Sequence, residues 1–115
     1  MEDCIFCKII AGKIPCNKVY EDGDIFAFHD IHPVAPVHFM VIPKQHIASL
    51  AEVDLGHQML LGKLLAQASK LAIEQGCTDG WRTVINTGRV GRQEVYHLHV
   101  HIIGGNAVLP GMIKR

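Results

Sequence analysis

Residues 97–102 read His-Leu-His-Val-His-Ile, and strict alternation of imidazoles with aliphatic side chains is the period of a half-buried strand, not of a helix. His97, His99 and His101 therefore leave one face, neighbours about 7 Å apart, while Leu98, Val100 and Ile102 face a core. Residues 93–95 lead into this strand, and Gly104-Gly105 ends it. Histidine is a mediocre strand former, so a row of three calls for a chemical reason. Two uses compete. A metal site needs ring nitrogens about 2.0–2.1 Å from one ion, and His97 and His101, about 13 Å apart at Cα, cannot all share it with His99 on a flat strand. Nucleophilic catalysis needs only one unprotonated imidazole nitrogen at neutral pH, which the middle histidine supplies without a separate base.

The frame around this strand follows from size and charge. A chain of 115 residues predicts a single domain, 1–115, with one core. Lys and Arg balance Asp and Glu at eleven each, so no basic field recruits nucleic acid or an anionic membrane. Glu2 and Asp3 stand where a signal peptide would carry cations, and no stretch approaches ~18 apolar residues. The expectation is a soluble cytoplasmic protein whose four cysteines serve as thiols or ligands rather than disulfides.

Taken in order, Ile5, Phe6, Ile9 and Ile10 have helical spacing, giving a short helix that ends near Gly12. The Cys4-x-x-Cys7 pair at its start has three readings: a redox pair, half of a zinc site, or two small core residues. Residues 18–21 form an edge strand, Asp22-Gly23 a hairpin turn, and residues 25–30 the returning strand. Residues 39–43 make a short apolar strand, with His46 in the loop beyond it. Ser49-Leu-Ala-Glu52 announces a helical turn. The long helix spans 54–75, with Leu60, Leu64, Ala68, Leu71 and Ala72 as its apolar stripe and Gly76 as terminator; His57, near its start, is solvated. Residues 81–86 are another strand, and the Gly- and Arg-bearing loop 87–92 is a hairpin loop with scope to bind an anion through backbone N–H groups. The order strand, strand, strand, long helix, strand, strand has no βαβ rhythm, which makes this an α+β chain with helices on one sheet face. The histidine face is then free to line a cleft.

His-Leu-His-Val-His-Ile-Ile resembles the His-x-His-x-His-x-x signature of the histidine triad superfamily. Residues 5–10, 27–31, 33–39 and 41–46, together with Asn86 and 93–105, are similar to its Hint branch. The resemblance implies a five-stranded antiparallel sheet with a long helix and a short N-terminal helix, assembled as a homodimer. It also implies a purine nucleotide-binding hydrolase acting on nucleoside 5′-phosphoramidates, with no catalytic cofactor. His99 would attack phosphorus, the His97 carbonyl would fix its tautomer, and His101 would steady phosphate charge with Asn86, Gln93, Glu94 and Val95 nearby. Asp30 would accept hydrogen bonds from the ribose, and Phe6, Ile9, Phe28, His29 and Ile31 would wall the base. Zinc-bearing relatives resemble this chain in a further respect, which implies a structural zinc on Cys4, Cys7, His46 and His97. Two thiolates and two imidazoles are a closed, structural set. Glu94 departs from the eukaryotic pattern, which has a Ser assigned to proton delivery, and the tail 106–115 lacks the aromatic-proline ending. Dinucleoside polyphosphate hydrolysis, nucleotide transfer and a mainly non-catalytic nucleotide-binding regulatory dimer are the alternatives.

Overall fold

A hairpin and a two-sided sheet set up everything else. The computed structural model describes residues 3–113, so Glu2 and the end of the 106–115 tail lie outside the described residues. Helix α1 (Ile5–Ile10) starts where the Cys4 thiol accepts the Cys7 N–H at 3.3 Å, and it ends as Gly12 turns to φ 78°. Strand β1 (Lys18–Glu21) turns into β2 (Ile25–His29) around Asp22, whose carboxylate accepts the N–H groups of Asp24 and Ile25. Strand β3 (Val37–Pro43) follows, then two 3-10 turns, helix α2 (Gln58–Glu74), β4 (Arg82–Val84) and β5 (Val100–Gly104). The five strands form one antiparallel sheet in the order β1-β2-β3-β5-β4.

Period-two alternation divides the sheet into two cores. Ile25, Ala27, Phe39, Val41, Leu98, Val100 and Ile102 pack under Leu64, Ala68, Leu71 and Ala72 of α2. Phe26, Phe28, Met40 and Ile42 point the other way and pack against Phe6 and Ile9 of α1. The expected arrangement had helices on one face only and left the histidine face open. That is corrected: α1 covers part of the histidine face, because its Phe6 and Ile9 are apolar enough to be buried there, each worth roughly 1.5–3 kcal/mol.

Other boundaries shift for physical reasons. The histidine row was expected to lie in a strand from residue 97, yet β5 begins at Val100. Val41 opposite Val100 is the last β3–β5 pair, after which the Leu98 N–H turns to the Ile47 carbonyl at 2.7 Å. Strand β4 is three residues rather than 81–86: it pairs with β5 only at His101, Ile102 and Ile103. The long helix begins later than residue 54: Asp54 caps a 3-10 turn (Leu55–His57) that runs into α2. His57 is a capping residue there, with Nδ1 accepting the Asp54 N–H at 3.0 Å, rather than a merely solvated side chain. Gly104 cannot carry a side chain, because a Cβ would sit 2.7 Å from the Cys77 sulfur beneath α2.

Candidate active site and metal centre

The end of the β3–β5 ladder frees the segment before β5 to do local chemistry. His97 is fully buried, and its Nε2 lies 2.8 Å from the Pro43 carbonyl. A carbonyl only accepts, so Nε2 carries the proton and Nδ1 is left as a lone pair. That lone pair faces two sulfurs, Cys4 Sγ at 3.3 Å and Cys7 Sγ at 3.6 Å, and Cys7 Sγ is 3.4 Å from His46 Nδ1. The four ligand atoms of Cys4, Cys7, His46 and His97 all lie within 4.8 Å of one another. In a tetrahedral zinc site, bond lengths of 2.3 Å to sulfur and about 2.05 Å to nitrogen put S and N about 3.6 Å apart. The spacing and the donor chemistry therefore fit zinc, and the Pro43 carbonyl is the outer partner that orients a metal-binding imidazole. All four cysteines, Cys4, Cys7, Cys16 and Cys77, are free thiols. Burial, with Cys4 beside it, pushes the Cys7 thiol up.

His99 repeats the tautomer logic one step further along. Its Nδ1 lies 2.8 Å from the His97 carbonyl oxygen, so Nδ1 carries the proton and Nε2 is the unprotonated nitrogen. Burial lowers its basicity, while the His97 carbonyl and the carboxylates of Asp30 and Glu94 act the other way. The Phe6 ring stands edge-on to it, centroids 5.2 Å apart, and stands the same way to Phe28 at 5.3 Å.

A third chain of donors fixes His101. The Val34 N–H donates to His38 Nδ1 at 3.2 Å, so His38 carries its proton on Nε2 and donates to His101 Nδ1 at 2.9 Å. His101 must then present Nε2–H as a donor. Burial first, and then His99 and His38, push its pKa down to about 4, so it is neutral at pH 7. The Asp30 carboxylate sits 3.4 Å from His38 Nε2 and accepts the His32 N–H at 2.8 Å. Asp30, His38 and His101 also form a cluster of metal-type donors. Two imidazole nitrogens on one zinc would be about 3.3 Å apart, so the 2.9 Å separation here is that of a hydrogen bond.

A cavity of about 520 Å³ brings most of these groups together. Ile5, Phe6, Ile31, Val34, Met40 and Val95 supply its apolar wall; Asp30, His38, Asn86, Arg92, Glu94, His99 and His101 supply its polar side. Glu94, exposed, also borders a second cavity of about 460 Å³ with Asp3 and Tyr96.

Several expected wall residues stand elsewhere. Ile9 and Phe28 are buried behind Phe6 in the core, and His29 does not line the cavity. Gln93 is buried away from it: its amide N–H groups donate to the Ala48 and Val95 carbonyls, and its oxygen accepts the Gly88 N–H. Its amide holds loop 87–92 in shape, where phosphate contact was expected. The backbone of that loop is also partly spent, with the Arg92 N–H on the Arg89 carbonyl and the Gln93 N–H on Gly88. Asn86 lines the cavity, and its amide nitrogen spends one of its two N–H groups on the Gly91 carbonyl.

Reading from sequence missed His38. A signal was present: Phe39 and Val41 alternate with His38, Met40 and Ile42, which puts His38 on the histidine face of the central strand. Arg92, held at φ 63°, and Met40 were missed as well.

Comparison with known proteins gives consistent matches. The profile of the family described as scavenger mRNA decapping enzyme C-term binding matches residues 3–115. Protein HitA of Neisseria gonorrhoeae is 53% identical over 104 residues, covering 90% of this chain and 97% of that one. A solved HIT family hydrolase from Legionella pneumophila is 46% identical with a TM-score of 0.88, over 91% of this chain and 95% of that one. A HIT family hydrolase from Clostridium thermocellum is 38% identical with a TM-score of 0.92, over 98% and 99% of the two chains.

Proposed function

The chain belongs to the histidine triad superfamily, and on that premise we propose that it hydrolyses nucleoside 5′-phosphoramidates, with purine nucleotides preferred, through a nucleotidyl-histidine intermediate. One observation carries this reading: the His97 carbonyl holds the proton of His99 on Nδ1, leaving Nε2 as a lone pair in a residue that lines the 520 Å³ cavity. His99 Nε2 attacks phosphorus, a P–N bond to the ring forms, and the P–N bond to the amine breaks. The amine leaves with a proton drawn from solvent, which reaches the cavity past the exposed Glu94. Water then cleaves the phosphorus–histidine bond, releasing nucleoside monophosphate and restoring His99. His101 Nε2–H answers the phosphoryl charge as it builds, with the Asn86 N–H that the Gly91 carbonyl does not take as a second donor. Asp30 has lone pairs left after binding the His32 N–H, suiting it to ribose hydroxyls, which are donors. The wall of Ile5, Phe6 and Ile31 gives a base apolar contact with few specifying hydrogen bonds.

Cys4, Cys7, His46 and His97 would hold a structural zinc, which ties α1 to the segment before β5; every chemical step above belongs to the chain's own residues. Strand β4 is an edge of three residues, and an unpaired edge supports a homodimer formed by pairing two copies there. Among the described residues no helix is long and apolar enough to cross a membrane, and thiols ready for metal suit the cytoplasm. The match to a decapping-enzyme domain supports a second reading, cleavage of dinucleoside polyphosphate-type substrates at the same histidine. Turnover of an adenosine phosphoramidate, turnover of a diadenosine polyphosphate, and AMP binding, compared side by side, test this. Faster phosphoramidate turnover is expected; binding of AMP without turnover of either substrate would reduce the protein to a nucleotide-binding regulator.

A further inference from the structure

Helix α1 is only six residues long, too short to hold its shape without tertiary anchors. Its anchors alternate in kind along one turn and a half. Cys4 and Cys7 reach the buried His97 and the loop residue His46. Between those two thiols stand Ile5 and Phe6, which line the cavity, and Phe6 is edge-on to His99. His97 is shared as well: its ring faces the sulfurs while its carbonyl receives the His99 Nδ1 proton. The same helical turn and the same histidine therefore belong to both the metal centre and the nucleotide pocket.

We propose that the two sites are thermodynamically coupled: zinc on Cys4, Cys7, His46 and His97 seats Ile5 and Phe6 as the pocket wall, so that zinc and a nucleoside 5′-monophosphate each tighten the binding of the other. This rests on the zinc and nucleotide readings above. The coupling is local, because the sheet has a separate core under α2 that contains no residue of α1. Removing the metal releases one turn of helix and leaves that core in place. Reciprocity requires a single factor: whatever zinc does to AMP affinity, AMP must do to zinc affinity.

The experiment measures AMP dissociation constants by calorimetry on zinc-loaded and chelated reduced protein, and zinc affinity by chelator competition with and without saturating AMP. Far-UV circular dichroism follows the fold throughout. The expected result is a loss of at least about five-fold in AMP affinity on chelation, the lower end of usual couplings, and an equal factor in zinc affinity, with the sheet signal retained. Phe6→Ala keeps all four ligands, so it should bind stoichiometric zinc, bind AMP more weakly, and bring the coupling factor close to one. Zinc-independent AMP affinity in a protein that binds both overturns the coupling and leaves the zinc and nucleotide readings standing. Global unfolding on chelation also overturns it, since the linkage would then be that of the whole fold. Reduced protein that takes up no zinc overturns both the coupling and the zinc site, and zinc-loaded protein that does not bind AMP overturns the coupling together with the nucleotide reading.

Discussion

Replacing His38 by leucine should damage catalysis more than folding, although His38 is not expected to touch phosphorus. Its two hydrogen bonds have unequal costs. The Val34 N–H that it accepts belongs to an exposed residue and regains water, losing about 0.5–1.5 kcal/mol. His101 Nδ1 lies against the His38 and His99 rings and has no such replacement, so leaving it unpaired costs about 1–3 kcal/mol. The leucine recovers part of the packing, for a net destabilisation of about 2–3 kcal/mol, visible as a lower Tm. Catalysis suffers for a different reason. Without the His38 Nε2–H, His101 is no longer held in the tautomer that presents Nε2–H, and it can offer phosphate a lone pair instead. Losing one such donor costs about 10²–10³-fold in kcat. Phosphoramidate turnover, thermal melting and nitrogen-15 NMR of the His101 ring read the three effects separately. His38→Gln, which retains an N–H donor, should recover part of kcat. A His38→Leu protein with kcat within about three-fold of wild type, far short of the usual loss on removing a donor, would refute the tautomer relay.

Three further outcomes are expected. His99→Gly should lose at least about 10³-fold in turnover, as removal of a nucleophile does, while retaining AMP binding and a wild-type circular dichroism spectrum; near-normal turnover would exclude His99 as nucleophile. Reduced wild-type protein purified without chelator should carry near-stoichiometric zinc by elemental analysis, and Cys4→Ser/Cys7→Ser should carry none and melt at a lower temperature. His101 has a folded pKa of about 4 against an ordinary 6.5, so the unfolded chain binds the proton first as pH falls. The stability this group contributes is complete above pH 6.5 and is lost between about 6.5 and 4, up to roughly 3 kcal/mol at 1.36 kcal/mol per unit. Urea unfolding at pH 7.5 and 5 should show that loss in wild type and a smaller one in His101→Asn; equal losses would remove His101 as its source.

Side-chain period was enough to read the sheet and the division of its faces. Imidazoles alternating with Leu98, Val100 and Ile102 decide which way each side chain points, because a strand has only two faces and water rejects the aliphatic one. The stripe on α2 and the turn at Asp22 were legible for the same local reason. Where the strands stop is not local: β5 begins where the backbone before it leaves β3 and the Leu98 N–H goes to the Ile47 carbonyl, and β4 spans only the residues paired with His101, Ile102 and Ile103. Local pattern also leaves unsettled whether Cys4-x-x-Cys7 is a redox pair, a core pair or half a metal site. Only the fold brings sulfur within 3.3 Å of a histidine ninety-three residues away. The proton positions on His97, His99 and His101 are likewise tertiary. Each ring has two nitrogens that the sequence cannot distinguish, and the choice falls to whichever carbonyl or histidine the folded chain sets against one of them: Pro43, His97 and His38.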